Sequence, residues 1–274
     1  MKNTIIVKKS HHDKFYTNPT VARFCVKQLQ QTIKNQDYTF LEPSAGGGVF
    51  VDVLREIGIS NIDAIDINPE YDFIKKQDFF TYKPSFNNKI IVIGNPPFGR
   101  CSSLAIKFFN HAASFQNTEI IAYILPKTFR KYSVQNRLSN NFGLVEDFDL
   151  PKNSFLLDGN INYDVPCIFQ IWKKLETPRH IYKNRSLDLI QFVQKEDSEF
   201  AIRRVGGRAG QLLDGMNYNY NSTYFCKENK KGVKKALQKI DFSEVVNSTA
   251  GVRSLSKMEI QIALEKYFKE NGEV

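Results

Sequence analysis

Apolar residues along the first 172 positions alternate between two rhythms. Over 19–33, Val21, Phe24, Cys25, Leu29 and Ile33 recur at near-helical spacing behind the start signals Thr17 and Pro19, which predicts a helix. "YTFLEP" (38–43) is a short apolar run stopped by proline, and "VFVDVLREIG" (49–58) returns to helical spacing, with Gly58 placed to end it. "NIDAIDINP" (61–69) and "KIIVIGNPPFG" (89–99) read as strands with rigid ends. "SSLAIKFFNHAASF" (102–115) reads as a helix, and "EIIAYILP" (119–126) and "VPCIFQIWKK" (165–174) as strands. Strands that are continuous apolar runs, alternating with helices, predict an α/β fold: a Rossmann-like, doubly wound, mostly parallel sheet covered on both faces.

After Trp172 the pattern breaks. "KKLETPRH" carries charge and proline without periodicity, which places a domain boundary near 175 and divides the chain into 1–174 and 175–274. The second part is strand-like in pieces ("HIYKN", "LDLIQFV", "FAIRRVGG") and loop-like across the Asn/Tyr-rich "MNYNYNSTYF". It ends in a Lys-rich helix near 230–239 and an amphipathic one, "SKMEIQIALEKYFKE", so a smaller α+β domain is expected.

Composition narrows the classes. With 42% hydrophobic and 24% charged residues the 274-residue chain reads as a soluble globular protein, and the N-terminal stretch lacks the apolar run of a signal or membrane segment. Cys25, Cys101, Cys167 and Cys226 stand far apart, without a CxxC pair, so buried thiols in a reducing, cytoplasmic compartment are expected and no metal site is. His11 and His12 read as surface residues. The net charge of +9 is uneven: residues 1–172 carry 19 basic and 16 acidic side chains, residues 173–274 carry 19 and 13. That excess favours nucleic acid as a partner of the second domain.

The unusual residues cluster at strand ends, where sheets of this kind bind ligands. "SAGGG" (44–48) lets a ligand approach the backbone, and it lacks the Lys-Ser/Thr ending of a triphosphate loop. Asp66, 24 residues after Glu42, stands where a carboxylate would receive ribose hydroxyls, although "DINP" is also ordinary turn chemistry. Glu42 ahead of the glycines suits a cationic ligand better than a pyrophosphate. In "IVIGNPPFGR" (91–100), Pro96 and Pro97 fix the backbone, so the Asn95 carboxamide and nearby carbonyls stand as preset acceptors beside the flat ring of Phe98. Two acceptors and a ring suit a planar group bearing an amino substituent.

Taken in order, "TNPTVARFCV", "FLEPSAGGGVF", "AIDINP", "QDFF" and "IGNPPFG" resemble the S-adenosylmethionine-dependent amino-methyltransferases, specifically the adenine-N6 group of gamma motif order. The likeness spans roughly 13–172. It implies a class I methyltransferase fold with S-adenosylmethionine as cofactor. Phe15, Tyr16 and Thr17 would lie near its methionine part, Glu42, Ser44, Ala45 and Gly46 would line its pocket, and Asp66 would bind the ribose. Ile67 would pack on the adenine, with Asp78 accepting from its amino group and Phe79 beside it. Asn95, Pro96, Pro97 and Phe98 would form the catalytic corner, holding the target amino group and stacking on a base flipped out of the duplex, and Phe155 would be a second aromatic wall. DNA adenine is the implied substrate. RNA adenine, a protein glutamine amide and a catalytically silent nucleic-acid-binding role are the alternatives. In the second domain, which matches no recognition domain of that family, Arg203, Arg204 and Arg208 in "RRVGGRAG", with Arg253, are the candidate nucleic-acid contacts, with a solvated basic turn as the alternative.

Overall fold

The structure is a computed structural model that describes residues 15–33, 37–157, 161–181, 189–213, 215, 217–249 and 252–272. His11, His12 and most of "HIYKN" lie outside these. By contact, the chain forms two compact units. One comprises the segments up to Pro126 and from Asn141 to Arg179; the other comprises Lys127–Asn140 and the chain from His180 onward.

The first unit begins with strand β1 (Phe15–Thr17) and helix α1 (Pro19–Thr32). It continues through β2 (Tyr38–Glu42), α2 (Val49–Glu56), β3 (Ile62–Asp66), β4 (Lys75–Lys76), β5 (Lys89–Gly94), α3 (Ser103–Ser114) and β6 (Thr118–Pro126). After the excursion into the second unit, which carries the short helix α4 (Tyr132–Gln135), come β7 (Phe142–Asp149), β8 (Phe155–Leu157), β9 (Ile161–Tyr163) and β10 (Cys167–Lys174). Seven of these strands form one sheet in the order β4-β3-β2-β5-β6-β10-β7. The run from β4 to β6 is parallel, and β10 inserts antiparallel between β6 and β7. The fold is therefore α/β, Rossmann-like and mostly parallel.

The continuous apolar runs are explained by burial on both faces. Ile90, Ile91, Val92 and Ile93 of β5 are all fully buried. Ile91 and Ile93 pack with Val21, Cys25 and Leu29 of α1 and Phe50 and Leu54 of α2. On α3, Phe109 meets Trp172 and Phe142 edge-on, at 5.4 and 6.1 Å between ring centres.

A second, three-stranded antiparallel sheet, β1-β8-β9, pairs Phe15 with Leu157, Tyr16 with Leu156 and Thr17 with Phe155. It brings the start of the described chain to the carboxyl edge of β2. Asn18 then caps α1, its side chain accepting from the Thr20 N–H at 3.0 Å, with Pro19 in the first turn where no donor is needed.

The turn into α2 depends on glycine. Gly48, at φ +74°, precedes the helix, and a Cβ there would sit 2.9 Å from Cζ of Phe73. Gly48→Ala is expected to destabilise the protein by about 1–3 kcal/mol, combining left-handed backbone strain with an aromatic ring that must move; urea unfolding reads this.

The second unit is built on an antiparallel sheet, β11-β14-β12-β13, made of β11 (Ile190–Phe192), β12 (Phe200–Arg203), β13 (Leu212–Leu213) and β14 (Thr223–Glu228). Helices α5 (Val233–Lys239), α6 (Ser243–Asn247) and α7 (Lys257–Glu270) supply Val233, Leu237, Val246, Ile260, Leu264 and Phe268 to its core. The start of α7 is fixed by a capping box: Glu259 N–H donates to Ser256 Oγ at 3.2 Å, and Ser256 N–H to Glu259 Oε2 at 2.7 Å.

Three expectations change here. By contact the division falls after Arg179, close to the expected 175, but Lys127–Asn140 groups with the second unit, where Lys131 Nζ donates to the Ser254 carbonyl at 2.9 Å. Thr223–Phe225, read as loop with the Asn-rich stretch before it, opens a central strand. Cys101 is exposed, whereas Cys25, Cys167 and Cys226 are buried as free thiols. Among the described residues no helix is long and apolar enough to cross a membrane, and no group of three or more His, Cys, Asp or Glu is placed to hold a metal ion.

Candidate functional site

At the carboxyl ends of β2 and β5 the first unit holds a cavity of about 450 Å³. Glu42 ends β2 and is 2% exposed. The glycine turn follows: Ala45 N–H donates to the Ile65 carbonyl at 3.0 Å, and Gly46 N–H to Asp66 Oδ2 at 2.8 Å. Gly47 leaves room for Tyr16, whose ring would lie 3.4 Å from an added Cβ. Across the sheet, Asn95 follows β5 immediately, and its backbone carbonyl accepts from Ser44 Oγ at 3.2 Å, tying the two strand ends together.

Two buried acceptors on the cavity wall have no hydrogen-bond partner. They are Glu42 Oε2 and Asn95 Oδ1. Unsatisfied buried acceptors are costly, so a pair on one cavity wall calls for a ligand with donors. Burial pushes the Glu42 carboxyl well above the usual carboxylate range, with Asp66 and Asp52 adding to the rise while the Val51 N–H opposes it. A cation bound beside it would favour the carboxylate that burial disfavours.

Phe15, Tyr16, Thr17, Glu42, Ser44, Ala45, Gly46 and Asn95 all line this cavity. The other expected residues are not brought to its wall. Asp66 braces the glycine turn, its Oδ1 also accepting from the Asn68 N–H at 2.8 Å. Ile67 is 70% exposed beside it. Asp78 caps a short turn by accepting from the Phe80 N–H, and Phe79 is buried among Phe108, His111 and Phe115. Pro96 is buried, Pro97 exposed and Phe98 half-buried, with the Phe98 carbonyl accepting from the Leu104 and Ala105 N–H groups at the start of α3.

Phe155 overturns its expectation. It is 1% exposed in the core between the sheet and α1, opposite Thr17, so its ring is not available as a wall for a substrate. Conversely, Asp52, Glu70, Tyr71 and Leu156 line the cavity without having been singled out. Glu70 and Tyr71 lie just beyond "DINP", a signal the sequence offered; Leu156 is placed by strand pairing alone.

No family model matches the chain. Over 103 residues, it is 30% identical to the Type II methyltransferases M.HincII of Haemophilus influenzae and M.HindII of Haemophilus influenzae strain Rd. Over about a third of its length, the chain is similar to type II methyltransferases. The matched stretch is 36% of this chain and 19% of each relative, so the chain spans about a fifth of the relatives' length. Among solved structures, the 23S rRNA methyltransferase ErmE overlaps at a TM-score of 0.42 and 14% identity, over 60% of this chain and 71% of that one. TrmN from Thermus thermophilus overlaps at 0.40 and 15%, over 57% and 49%. At such scores the likeness fixes neither reaction nor substrate.

In the second unit, pairing brings the four singled-out arginines onto two adjoining segments. Val205 bridges Ser254, the Gly206 N–H donates to the Arg253 carbonyl at 2.9 Å, and the Leu255 N–H to the Arg204 carbonyl at 2.8 Å. Arg208 and Arg253 are exposed. Arg203 donates to Ser222 Oγ at 2.8 Å and lies over Tyr218, and Arg204 lies over Tyr224.

Proposed function

We propose that the chain is an S-adenosylmethionine-dependent methyltransferase acting on the exocyclic N6 amino group of adenine in DNA. The observation that carries this reading is the pair of buried, unpartnered acceptors, Glu42 Oε2 and Asn95 Oδ1, on one cavity at the strand ends. Similarity to type II methyltransferases over 103 residues supports methyl transfer. The order of the glycine turn, "DINP" and "NPPF" supports the amino target.

The residues present fit the cofactor: a buried acid with one oxygen left unpartnered for an ammonium group, aromatic rings for a sulfonium, and glycines where a ligand must approach the backbone. When bound, S-adenosylmethionine supplies a methyl group activated on a positively charged sulfur. Asn95 Oδ1 accepts one hydrogen of the target amino group, and the Pro96 carbonyl accepts the other. Holding both hydrogens keeps the nitrogen lone pair from spreading into the ring, so the amine becomes a usable nucleophile. The two prolines fix these acceptors beforehand, so no reorganisation is needed during reaction. The proton lost from nitrogen passes to solvent, and the chain needs no general base. Phe98 is the ring on which the base stacks.

The second unit is the nucleic-acid recognition domain in this reading, with Arg208 and Arg253 on phosphates and Arg203 and Arg204 supporting the same surface. Replacing Arg203, Arg204 and Arg208 together by alanine is expected to weaken DNA binding at least tenfold near 0.1 M salt and to flatten its salt dependence by about one unit per lost phosphate contact. Fluorescence anisotropy across a salt series measures both; an unchanged slope assigns these arginines to a solvated turn. The reaction itself is tested by incubating the protein with labelled S-adenosylmethionine and duplex DNA, structured RNA or protein. N6-methyladenine in the DNA digest is expected. Label in RNA alone, or in a glutamine side chain, would move the substrate accordingly.

A further inference from the structure

The register of the sheet sets two residues of the site against each other. β2 and β5 are parallel neighbours with Leu41 opposite Val92, and Ser44 and Asn95 each stand three residues beyond that pair. Ser44 Oγ donates to the Asn95 carbonyl at 3.2 Å, and both residues line the cavity. The turn that carries Ser44 is itself pinned at the end of β3, because the Ala45 N–H donates to the Ile65 carbonyl and the Gly46 N–H to Asp66 Oδ2. Three strand ends are thus joined in series: β3 holds the glycine turn, and the turn holds the corner after β5.

That series bears on the torsion of the corner that proline leaves soft. The rings of Pro96 and Pro97 fix their own φ, and Pro96 confines Asn95 to extended backbone, but within that region ψ of Asn95 still ranges over about 40°. Neither proline has an N–H with which to tie the corner down. A hydrogen bond to the Asn95 carbonyl acts on this ψ directly, since it fixes the peptide plane between Asn95 and Pro96. The same rotation sets where the Pro96 carbonyl stands relative to Asn95 Oδ1, the buried acceptor without a partner. We infer that Ser44 is a positioning residue: its hydroxyl holds the Asn95 and Pro96 acceptors at their mutual spacing without itself touching the target amino group. The inference rests on the reading of this corner as the site that holds that group. It also gives Asp66 a part in the site although its side chain is not on the cavity wall, because bracing Gly46 keeps Ser44 in line with Asn95.

Nuclear magnetic resonance of the full chain, isotope-labelled on asparagine nitrogen and without ligand, reads the role before any turnover. The Asn95 carboxamide signals are identified by their loss in Asn95→Ala, and they are expected to shift or broaden in Ser44→Ala. Single-turnover transfer at saturating S-adenosylmethionine and duplex DNA should slow about tenfold in Ser44→Ala, since displacing a positioned group by even about 1 Å is costly. Cofactor affinity by equilibrium dialysis should change less than about threefold. In the Asn95→Ala background the same substitution should slow transfer by less than about threefold, because the carboxamide it positions is gone. An unmoved Asn95 signal, or a tenfold loss that persists in the Asn95→Ala background, would overturn the inference. So would a loss confined to cofactor affinity, which would make Ser44 a contact of the cavity alone. Failure of the wild type to methylate DNA would overturn the reading beneath it, and the Asn95 signal would still decide whether Ser44 holds the corner.

Discussion

Asn95→Ala is expected to slow methyl transfer about 10²-fold or more while changing the affinity for S-adenosylmethionine by no more than a few fold. The carboxamide oxygen is buried on a residue that lines the cavity and has no hydrogen-bond partner within the protein, so its deletion removes an acceptor without stranding a donor. The backbone should hold its shape, because Ser44 Oγ bonds to the Asn95 carbonyl and not to the side chain, and Pro96 and Pro97 still fix the corner. The loss therefore falls on the step in which the amino nitrogen becomes a nucleophile. Single-turnover transfer at saturating cofactor, beside equilibrium dialysis, separates the two quantities. An unchanged rate would remove Asn95 from catalysis.

Glu42→Gln is expected to act on binding and on stability in opposite directions. S-adenosylmethionine affinity should fall about tenfold or more, because a buried charge-assisted contact is replaced by a neutral one. The empty variant should nonetheless be the more stable protein at alkaline pH. The Glu42 carboxyl is raised well above its ordinary value near 4.5, so the folded state binds its proton more tightly than the unfolded state does. Its contribution to stability is therefore complete below about pH 4.5 and is lost as pH rises toward and through the folded-state value. Glutamine never ionises, so the stability difference in favour of the variant should grow from pH 5 to pH 8 in urea melts. A difference flat in pH would show that the Glu42 carboxyl is not raised in the folded protein.

The first unit was legible because its strands are buried on both faces. An unbroken run such as Ile90–Ile93 can be accommodated only inside a sheet covered twice, and the stops after it are chemically distinctive. Glu42, Ser44, Gly46 and Asn95 stood out for a related reason: Glu42 closes β2, Ser44 and Gly46 lie in the turn that follows it, and Asn95 comes directly after β5. What sequence could not supply was long-range pairing. Leu156 reaches the cavity and Phe155 is drawn into the core because β8 pairs with β1 about 140 positions away, and one register step decides which side chain faces which way. The strand Thr223–Glu228 was hidden by the Asn/Tyr-rich loop before it, and segment 127–140 joins the second unit through Lys131 and its partner Ser254, 123 positions on. Asp66 shows a subtler limit: its spacing from Glu42 was plain, but its engagement with the Gly46 and Asn68 N–H groups is a matter of geometry.

The central claim is that the cavity holding Glu42 and Asn95 takes up S-adenosylmethionine. Titration calorimetry of the wild type and Glu42→Gln in buffers of differing ionisation enthalpy tests it most directly, because a carboxyl whose proton affinity is raised by burial loses that affinity when a cation binds beside it, and so releases protons on binding. The account predicts one bound ligand per chain, release of up to one proton near neutral pH, and loss of that release in Glu42→Gln. Absence of binding, or proton release and affinity identical in the two proteins, would contradict it.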